Sequence, residues 1–181
     1  MNQLLQKYRK EAVPALQEEF GVKNVMAVPK VEKVVVNVGI GKMVKDEKAV
    51  EKIANDIGKL TGQKPVYRKA KKSIASFKIR EGMNIGLLVT LRGKRMYDFM
   101  DRLISVALPG SKDFRGIDTG NFDNNGNLNL GLKESSIFPE ITYETLKDIF
   151  SLEVTVTTTA RDKQKGIALL RHLGFPIRSD I

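Results

Sequence analysis

Residues 60–99 read LTGQKPVYRKAKKSIASFKIREGMNIGLLVTLRGKRMYDF, a stretch in which two β-like runs flank a basic linker. Val66–Arg68 and Ile85–Leu91 are rich in β-branched and large apolar side chains, which is typical of strands. Residues 69–82 between them carry cations, hydroxyl groups and a glycine, and this composition predicts an exposed basic loop. From Met96 to Ala107 apolar residues recur at steps of three and four, which predicts an amphipathic helix. The stretch therefore predicts two strands joined by a charged loop and followed by a helix.

Three more helices and three more strands are predicted outside that stretch. The helices cover residues 4–20, with a kink at Pro14, residues 46–60 and residues 162–173. A glycine follows each of these helices and favours its end: Gly21, Gly62 and Gly174. Residues 30–38 are rich in valine, and apolar residues alternate with polar ones in residues 128–132 and 152–157, as they do in half-buried strands.

The order of these elements indicates the fold class. Helices alternate with a handful of strands without a repeating βαβ rhythm, which predicts an α+β fold. The expected architecture has two layers, with helices packed on one face of a mixed β-sheet and the other face free to meet a partner. No internal repeat or low-complexity tract divides the chain, so residues 1–181 are predicted to form a single domain.

Charge is concentrated in one window of the chain. Residues 59–95 contain eleven Lys or Arg and one acid, Glu81, and so hold the whole net charge of +10. Removing these eleven of 31 basic residues and one of 21 acidic residues leaves 20 of each. A concentrated cationic surface attracts phosphates and releases their counterions, which makes nucleic acid the favoured partner. We call residues 59–95 the basic window.

Two other interpretations of the basic window fit its sequence less well. A solvated face of a helix would carry compensating acids, which this window lacks. An anionic membrane surface would need an amphipathic helix as anchor, whereas the window holds Pro65, Gly82, Gly86 and Gly93 around β-like runs. No uncharged apolar run approaches the length of about 20 residues that a membrane span requires, so we expect a soluble, unsecreted protein without a membrane partner.

The residue types that commonly act in catalysis or bind metals do not form a recognisable catalytic or metal-binding motif in this sequence. The chain has no Cys, which excludes disulfides and thiolate metal sites, and its single histidine, His172, is interpreted as a surface or packing residue. Gly39–Lys42 resembles a phosphate loop but lacks the hydroxyl residue that should follow the lysine. The Asp and Asn residues between Asp118 and Asn127 do not match an EF-hand and favour turns. No enzyme activity, cofactor or metal is predicted.

Within the basic window, cations stand beside neutral hydrogen-bonding groups. Five cations of the linker cluster with two hydroxyl residues, a mixture suited to phosphate and sugar contacts: Lys69, Lys71, Lys72, Lys78, Arg80, Ser73 and Ser76. Nearby strands add Asn37, Gln63 and Thr90. Because no helix-turn-helix, basic zipper or zinc finger is recognisable, folded RNA is favoured over DNA. Aromatic residues are only 7% of the chain, so an aromatic sheet that stacks bases is not expected to be the main mechanism.

Residues 60–99 closely resemble a known family, the bacterial-type ribosomal protein numbered five in the large subunit, which binds 5S rRNA. The similarity extends through KYRKEAVPAL, VPKVEKVVVNVGIG, DFRGI, LGLKESSIFPEI and VTTTA. The chain departs from the family at Arg68, where a small hydroxyl residue is usual, and at Tyr67, where an aliphatic residue is common. Ser76 stands where glycine is frequent, and the usual Arg-Gly-Met before Phe150 is missing.

The resemblance implies a protein of the central protuberance whose concave sheet face docks on 5S rRNA and which also contacts 23S rRNA. By this resemblance, Asn37, Gln63 and Thr90 recognise the 5S backbone. The cations expected to support rRNA binding are Lys64, Arg68, Lys69, Arg92, Lys94 and Arg95. The compartment implied is the cytoplasm, on the ribosome, with an organellar ribosome left open.

Two further contacts are implied by the resemblance. The loop from Lys71 to Glu81 would approach the elbow of P-site tRNA, and the region from Glu134 to Phe150 would lie near a protein of the small-subunit head in an intersubunit bridge. A stand-alone RNA chaperone or regulatory RNA-binding module remains the alternative, since the same charge would serve it. A nuclease is the third possibility and would need a metal-binding carboxylate cluster.

Overall fold

The computed structural model of the protein describes residues 3–43, 46–111, 114–141 and 149–178, without the side chain of Lys42. Five strands are present in these ranges: β1 Val31–Gly39, β2 Val66–Lys69, β3 Asn84–Leu91, β4 Leu128–Leu132 and β5 Leu152–Thr158. All five coincide with predicted strands to within a residue or two. They form one open sheet in the order β2-β3-β1-β5-β4.

The predicted α+β class is confirmed, with one correction to the sheet. Its strands run antiparallel, whereas a mixed sheet was expected. In the antiparallel pair β2–β3, Val66 lies opposite Leu88 and Arg68 lies opposite Gly86. The register shifts after Arg68, at a β-bulge or similar irregularity. Strand direction depends on which distant segments pair, and local periodicity carries no information about that pairing.

The helices of the described residues are α1 Gln3–Lys7, α2 Val13–Phe20, α3 Glu47–Thr61, α4 Gly93–Arg102, α5 Leu108–Gly110 and α6 Lys163–Leu173. Their ends follow from local chemistry. The carboxylate of Asp46 accepts a hydrogen bond from the Ala49 amide at 3.1 Å and starts α3. Asp162 does the same for α6 through the Gln164 amide at 2.9 Å. Gly21, Gly62 and Gly174 adopt positive φ angles after α2, α3 and α6, as predicted.

Pro14 does not simply kink the N-terminal helix. A π turn at Tyr8–Ala12 joins α1 to α2, and the Val13 amide donates to the Tyr8 carbonyl, five residues back. A second π turn at Leu103–Ala107 stands at the same spacing before Pro109. Because proline lacks an amide hydrogen and its ring collides with the preceding turn, one wider turn before it keeps the helix continuous.

The chain forms two compact units, each with its own buried side chains. Unit 1 comprises residues 1–34, 91–130 and 155–181; its α1 packs against α4, its α6 against α2, and Leu16, Phe99 and Leu169 are fully buried. Unit 2 comprises residues 35–90 and 131–154, and its buried side chains come from β1, α3 and β3. The expectation of a single domain over residues 1–181 stays a prediction.

Candidate nucleic-acid interface

The cations of the basic window are exposed and mostly unpaired. All eleven side chains are exposed to solvent. Two of them form ion pairs: Lys59 Nζ lies 3.5 Å from Asp56 Oδ1, and Arg92 Nη1 lies 3.4 Å from Glu32 Oε1. The other nine pair with no acid among the described residues: Lys64, Arg68, Lys69, Lys71, Lys72, Lys78, Arg80, Lys94 and Arg95. Their charge therefore remains available to an anionic ligand.

These cations are distributed over both units. Eight of the eleven, from Lys59 to Arg80, belong to unit 2. Arg92, Lys94 and Arg95 belong to unit 1, where they stand at the start of α4. Both units thus present positive charge to solvent.

In unit 2, the strands β1 and β3 place polar side chains opposite their buried face. Val36 and Val38 are buried in β1, and Asn37 between them is half-buried. In β3 the same alternation leaves Thr90 half-buried between the buried Val89 and Leu91. Successive side chains of a strand point to opposite faces, so Asn37 and Thr90 occupy the face turned away from the core of each strand.

The end of α3 positions Gln63 beside that face. Gly62 turns the chain in the left-handed conformation, with φ at 67°. The hydroxyl of Thr61 donates to the Ile57 carbonyl at 2.7 Å and accepts from the Gln63 amide at 3.3 Å. The side-chain Nε2 of Gln63 then donates to the Thr90 carbonyl at 3.3 Å. The carboxamide oxygen of Gln63 is left available to a partner, and two of the predicted RNA-binding residues are brought into contact.

Gly86 lies between Asn37 and Arg68. A Cβ placed on Gly86 would lie 3.9 Å from Asn37 Oδ1 and 3.7 Å from Arg68 Cβ. A glycine within a strand permits the backbone of another molecule to approach closely. Here Gly86 is itself buried, and an added Cβ would lie 3.4 Å from the Val38 carbonyl oxygen, so the absence of a side chain lets Asn37 and the stem of Arg68 approach β3. We call the surface formed by Asn37, Gln63, Arg68, Gly86 and Thr90 the polar face.

The predicted loop between β2 and β3 is exposed, as expected, and it is folded. At its base the Ala70 amide donates to the Met83 carbonyl at 2.8 Å, and the Gly82 amide donates to the Ala70 carbonyl at 3.0 Å. Further out, the Glu81 amide donates to Ser73 Oγ at 2.9 Å. Lys71, Lys72, Ser76, Lys78 and Arg80 are all exposed on this loop. We call residues 70–83 the basic loop.

Sequence reasoning missed two residues of this region. Phe77, at the tip of the basic loop, is 70% exposed, although aromatic side chains are usually at least partly covered. The signal that was available is its position inside a run of cations. Gly86 was assigned only to a strand, because its closeness to Asn37 and Arg68 depends on pairing between β2, β3 and β1.

The described residues contain no cluster of three or more His, Asp or Glu side chains suited to hold a metal ion. Nor does any helix in the described ranges have the length and apolarity needed to cross a bilayer.

Of the region predicted to form an intersubunit bridge, residues 142–148 lie outside the described residues. In the remainder, the Phe150 amide donates to Ser135 Oγ at 3.3 Å.

Comparison with known proteins finds similarity along nearly the whole chain. The family model described as ribosomal protein L5 matches residues 24–80, and the model for the ribosomal L5P family C-terminus matches residues 84–177. Three similar proteins carry the name "Large ribosomal subunit protein uL5". The one from Chloroflexus aurantiacus is 54% identical over 97% of both chains. Those from a Thermoanaerobacter species and from Syntrophomonas wolfei are each 51% identical, over 97% and 98% of this chain and 98% and 100% of theirs.

Proposed function

Since the chain belongs to the ribosomal protein L5 family of the large subunit, we propose that it binds 5S rRNA through its polar face. As a member of this family it is a structural constituent of the large ribosomal subunit and takes part in translation on the ribosome, in the cytoplasm. It is a ribosomal component and not an enzyme. Ribosomal RNA is accordingly its partner. This membership favours a fixed place in the subunit over a stand-alone RNA-binding module and over a nuclease.

The observation that carries the 5S proposal is the combination, within unit 2, of a polar face and unpaired cations. Phosphate contacts supply affinity that does not depend on sequence, while amides and hydroxyls fix the register of the backbone. Arg68 joins the charge to the polar face. Its guanidinium is exposed and pairs with no acid among the described residues, and the residue lies opposite Gly86 in the β2–β3 pairing.

Three further contacts complete the proposal. The protein also helps to attach 5S rRNA to 23S rRNA, and its remaining rRNA-binding cations are Lys64, Lys69, Arg92, Lys94 and Arg95. The basic loop contacts the elbow of P-site tRNA through Lys71, Lys72, Lys78 and Arg80, assisted by the hydroxyls of Ser73 and Ser76. The region from Glu134 to Phe150 meets a protein of the small-subunit head. Charge supports the first two contacts, and family resemblance alone supports the third.

The direct test replaces the neutral groups of the polar face. We expect the triple variant Asn37→Ala, Gln63→Ala and Thr90→Ala to bind 5S rRNA at least about tenfold more weakly, because each lost hydrogen bond contributes about 0.5–1.5 kcal/mol. Filter binding at fixed salt measures the change. The fold should persist, since all three side chains lie on the solvent side of their strands or beside it.

Asn55→Ala is the matched control, because Asn55 is an exposed amide on α3 outside the polar face. Its affinity should equal that of the unchanged protein. Full affinity in the triple variant, with an unaltered unfolding curve, would remove these residues from the RNA site. Co-sedimentation with large subunits at moderate salt tests the fixed place in the ribosome, because a free module would wash off.

A further inference from the structure

We propose that Phe77 is a stacking platform for a nucleobase of the RNA that the basic loop contacts. This inference rests on the proposed function of that loop and adds a mode of recognition to it. The loop would then hold its partner by two different interactions, with cations on the phosphates and an aromatic ring on an exposed base.

The exposure of Phe77 is unusual in this chain. Of the seven other phenylalanines, all of which lie in the described ranges, Phe20 and Phe114 are half-buried, and five are buried: Phe99, Phe122, Phe138, Phe150 and Phe175. Phe77 keeps 70% of its surface in water, and Ile74 of the same loop keeps 45%. A single exposed apolar residue needs no explanation by itself. Its setting supplies the additional observations.

The tip that carries Phe77 is held in a fixed conformation. Ile74 and Ile79 exchange both backbone hydrogen bonds, at 2.9 Å and 3.2 Å, and so close a narrow hairpin. Residues Ala75–Phe77 form a 3₁₀ turn, which ends where the Lys78 amide donates to the Ala75 carbonyl at 3.0 Å. A ring mounted on a closed turn loses less conformational freedom on binding than one on a flexible loop.

Lys78 adopts a conformation that lysine rarely takes. Its φ angle is +55°, in the left-handed region, and only one other non-glycine residue of the described chain, Arg161, has a positive φ. Such backbone strain persists where the surrounding structure imposes it, and it is concentrated at binding sites. Because Lys78 follows Phe77 directly, the strained residue terminates the turn that presents the ring.

The charge around the ring selects the class of partner. The basic loop contains Lys71, Lys72, Lys78 and Arg80 and one acid, Glu81, and the four cations pair with no acid among the described residues. An apolar peptide would gain nothing from these charges. RNA offers phosphates to the cations and, at loops and helix ends, unstacked bases whose faces fit an aromatic ring.

The test uses ribosomes in which the only copy of this protein carries a substitution at position 77. Phe77→Tyr keeps an aromatic face, Phe77→Leu keeps apolar area without one, and Phe77→Ala removes both. Stacking on one base predicts that tRNA leaves the P site about five- to one-hundredfold faster for the Leu and Ala variants, and within about twofold of the unchanged rate for the Tyr variant. Met26→Ala, which truncates a side chain that is 83% exposed in unit 1, is the matched control and should change nothing.

A fourth variant separates this inference from the function on which it rests. Changing Lys71, Lys72, Lys78 and Arg80 to Ala should also speed dissociation. If it does while Phe77→Ala does not, the loop contacts tRNA and the stacking proposal is wrong. If neither changes the rate, the proposed tRNA contact fails and stacking fails with it. A leucine variant that releases tRNA at the unchanged rate also overturns stacking, because apolar contact would then suffice.

A cross-link identifies the partner directly. Phe77→p-azidophenylalanine places a photoactivatable ring at the same position, and we expect illumination to join it to a nucleotide of the P-site tRNA. Attachment to a protein alone would overturn the proposal. Attachment to ribosomal RNA alone would overturn the proposed tRNA contact and, with it, the stacking of Phe77 on a base of that tRNA.

Discussion

At the scale of single residues, two glycines allow α6 to approach the turn before β4. A Cβ on Gly126 would lie 2.5 Å from the Asp162 carbonyl oxygen, and one on Gly166 would lie 2.5 Å from Gly126 Cα. Gly126 also has a φ of +80°, which a side chain would strain. The carbonyl of Gly126 accepts a hydrogen bond from the Thr158 hydroxyl at 2.9 Å, so the contact is fixed from both sides.

We expect Gly166→Ala to destabilise the protein by about 1–3 kcal/mol, because the methyl group cannot fit unless the turn at Gly126 moves. Gly58→Ala is the matched control, since Gly58 also lies within a helix but has no atom within 4 Å of an added Cβ. There alanine should stabilise by about 0.5–1 kcal/mol through its helix propensity. The urea midpoints of the two variants should therefore shift in opposite directions, and a shared direction would contradict the close approach.

Glycines also show what sequence can predict at this scale. Gly21, Gly62 and Gly174 were predicted to end helices, because a helix end needs only a local signal, and all three adopt positive φ angles there. Gly166 gave no such signal. It lies inside α6, and its role depends on its close approach to Gly126, 40 residues earlier in the chain. The sequence around Gly166 does not show which distant segment packs against it.

At the scale of elements, the turn at residues 123–127 is organised by one carboxylate. Oδ1 of Asp123 accepts from the amides of Asn125 and Asn127 at 2.9 Å and 2.8 Å, and Oδ2 accepts from Asn127 Nδ2 at 2.7 Å. The carboxamide oxygen of Asn127 accepts in turn from the Thr158 amide at 2.9 Å, which ties the turn to β5. Asx turn chemistry at Asp123, expected in place of calcium binding, is present.

This turn predicts a defined pH dependence. Burial tends to raise the pKa of Asp123, but the hydrogen bonds from Asn127 and Asn125 outweigh it and lower the pKa below its ordinary value. A lowered folded pKa adds stability above the unfolded value near 4, and that contribution disappears as the pH falls through the folded value. Asp123→Asn should thus cost about 1–2 kcal/mol at pH 7, and the difference from the unchanged protein should narrow toward pH 3.

Thermal unfolding at pH 7, 5, 4 and 3 measures the difference in stability between Asp123→Asn and the unchanged protein. Asp118→Asn is the control, because the carboxylate of Asp118 accepts one bond, from the Gly120 amide at 2.8 Å, and does not join two elements. A difference between Asp123→Asn and the unchanged protein that stays constant down to pH 3 would mean that the charge of Asp123 does not stabilise the turn.

The elements themselves were largely predictable, and their pairing was not. All five strands and the main helices follow from periods of two and of three to four residues. The two π turns escaped detection, because a turn widened by one residue leaves the spacing of apolar residues almost unchanged. The antiparallel arrangement was not predicted either, because the strand order β2-β3-β1-β5-β4 joins segments that lie far apart in the chain.

At the scale of the whole molecule, sequence predicted where the charge lies but not which charges remain unpaired. The pair Lys59–Asp56 is three residues apart and could be expected from helix geometry. Arg92 pairs with Glu32, sixty residues away, and no local pattern predicts that contact. Exposed ion pairs of this kind contribute little stability and are screened by salt, so both cations can exchange their acid for another anionic group.

The net effect of these unpaired cations is measurable as a salt slope. If binding to 5S rRNA neutralises about six phosphates, the logarithm of the association constant should fall with the logarithm of salt concentration at a slope of roughly −4 to −5. Arg68→Gln keeps most of the stem but removes one charge from the polar face, so its slope should be shallower by about one. Lys23→Gln removes an exposed cation of unit 1 outside the basic window and should leave the slope unchanged. A slope near zero for the unchanged protein would show that neutral contacts alone hold the RNA. Equal slopes for the two variants would show that the cations act only through the net charge of the protein and not through their place on the polar face.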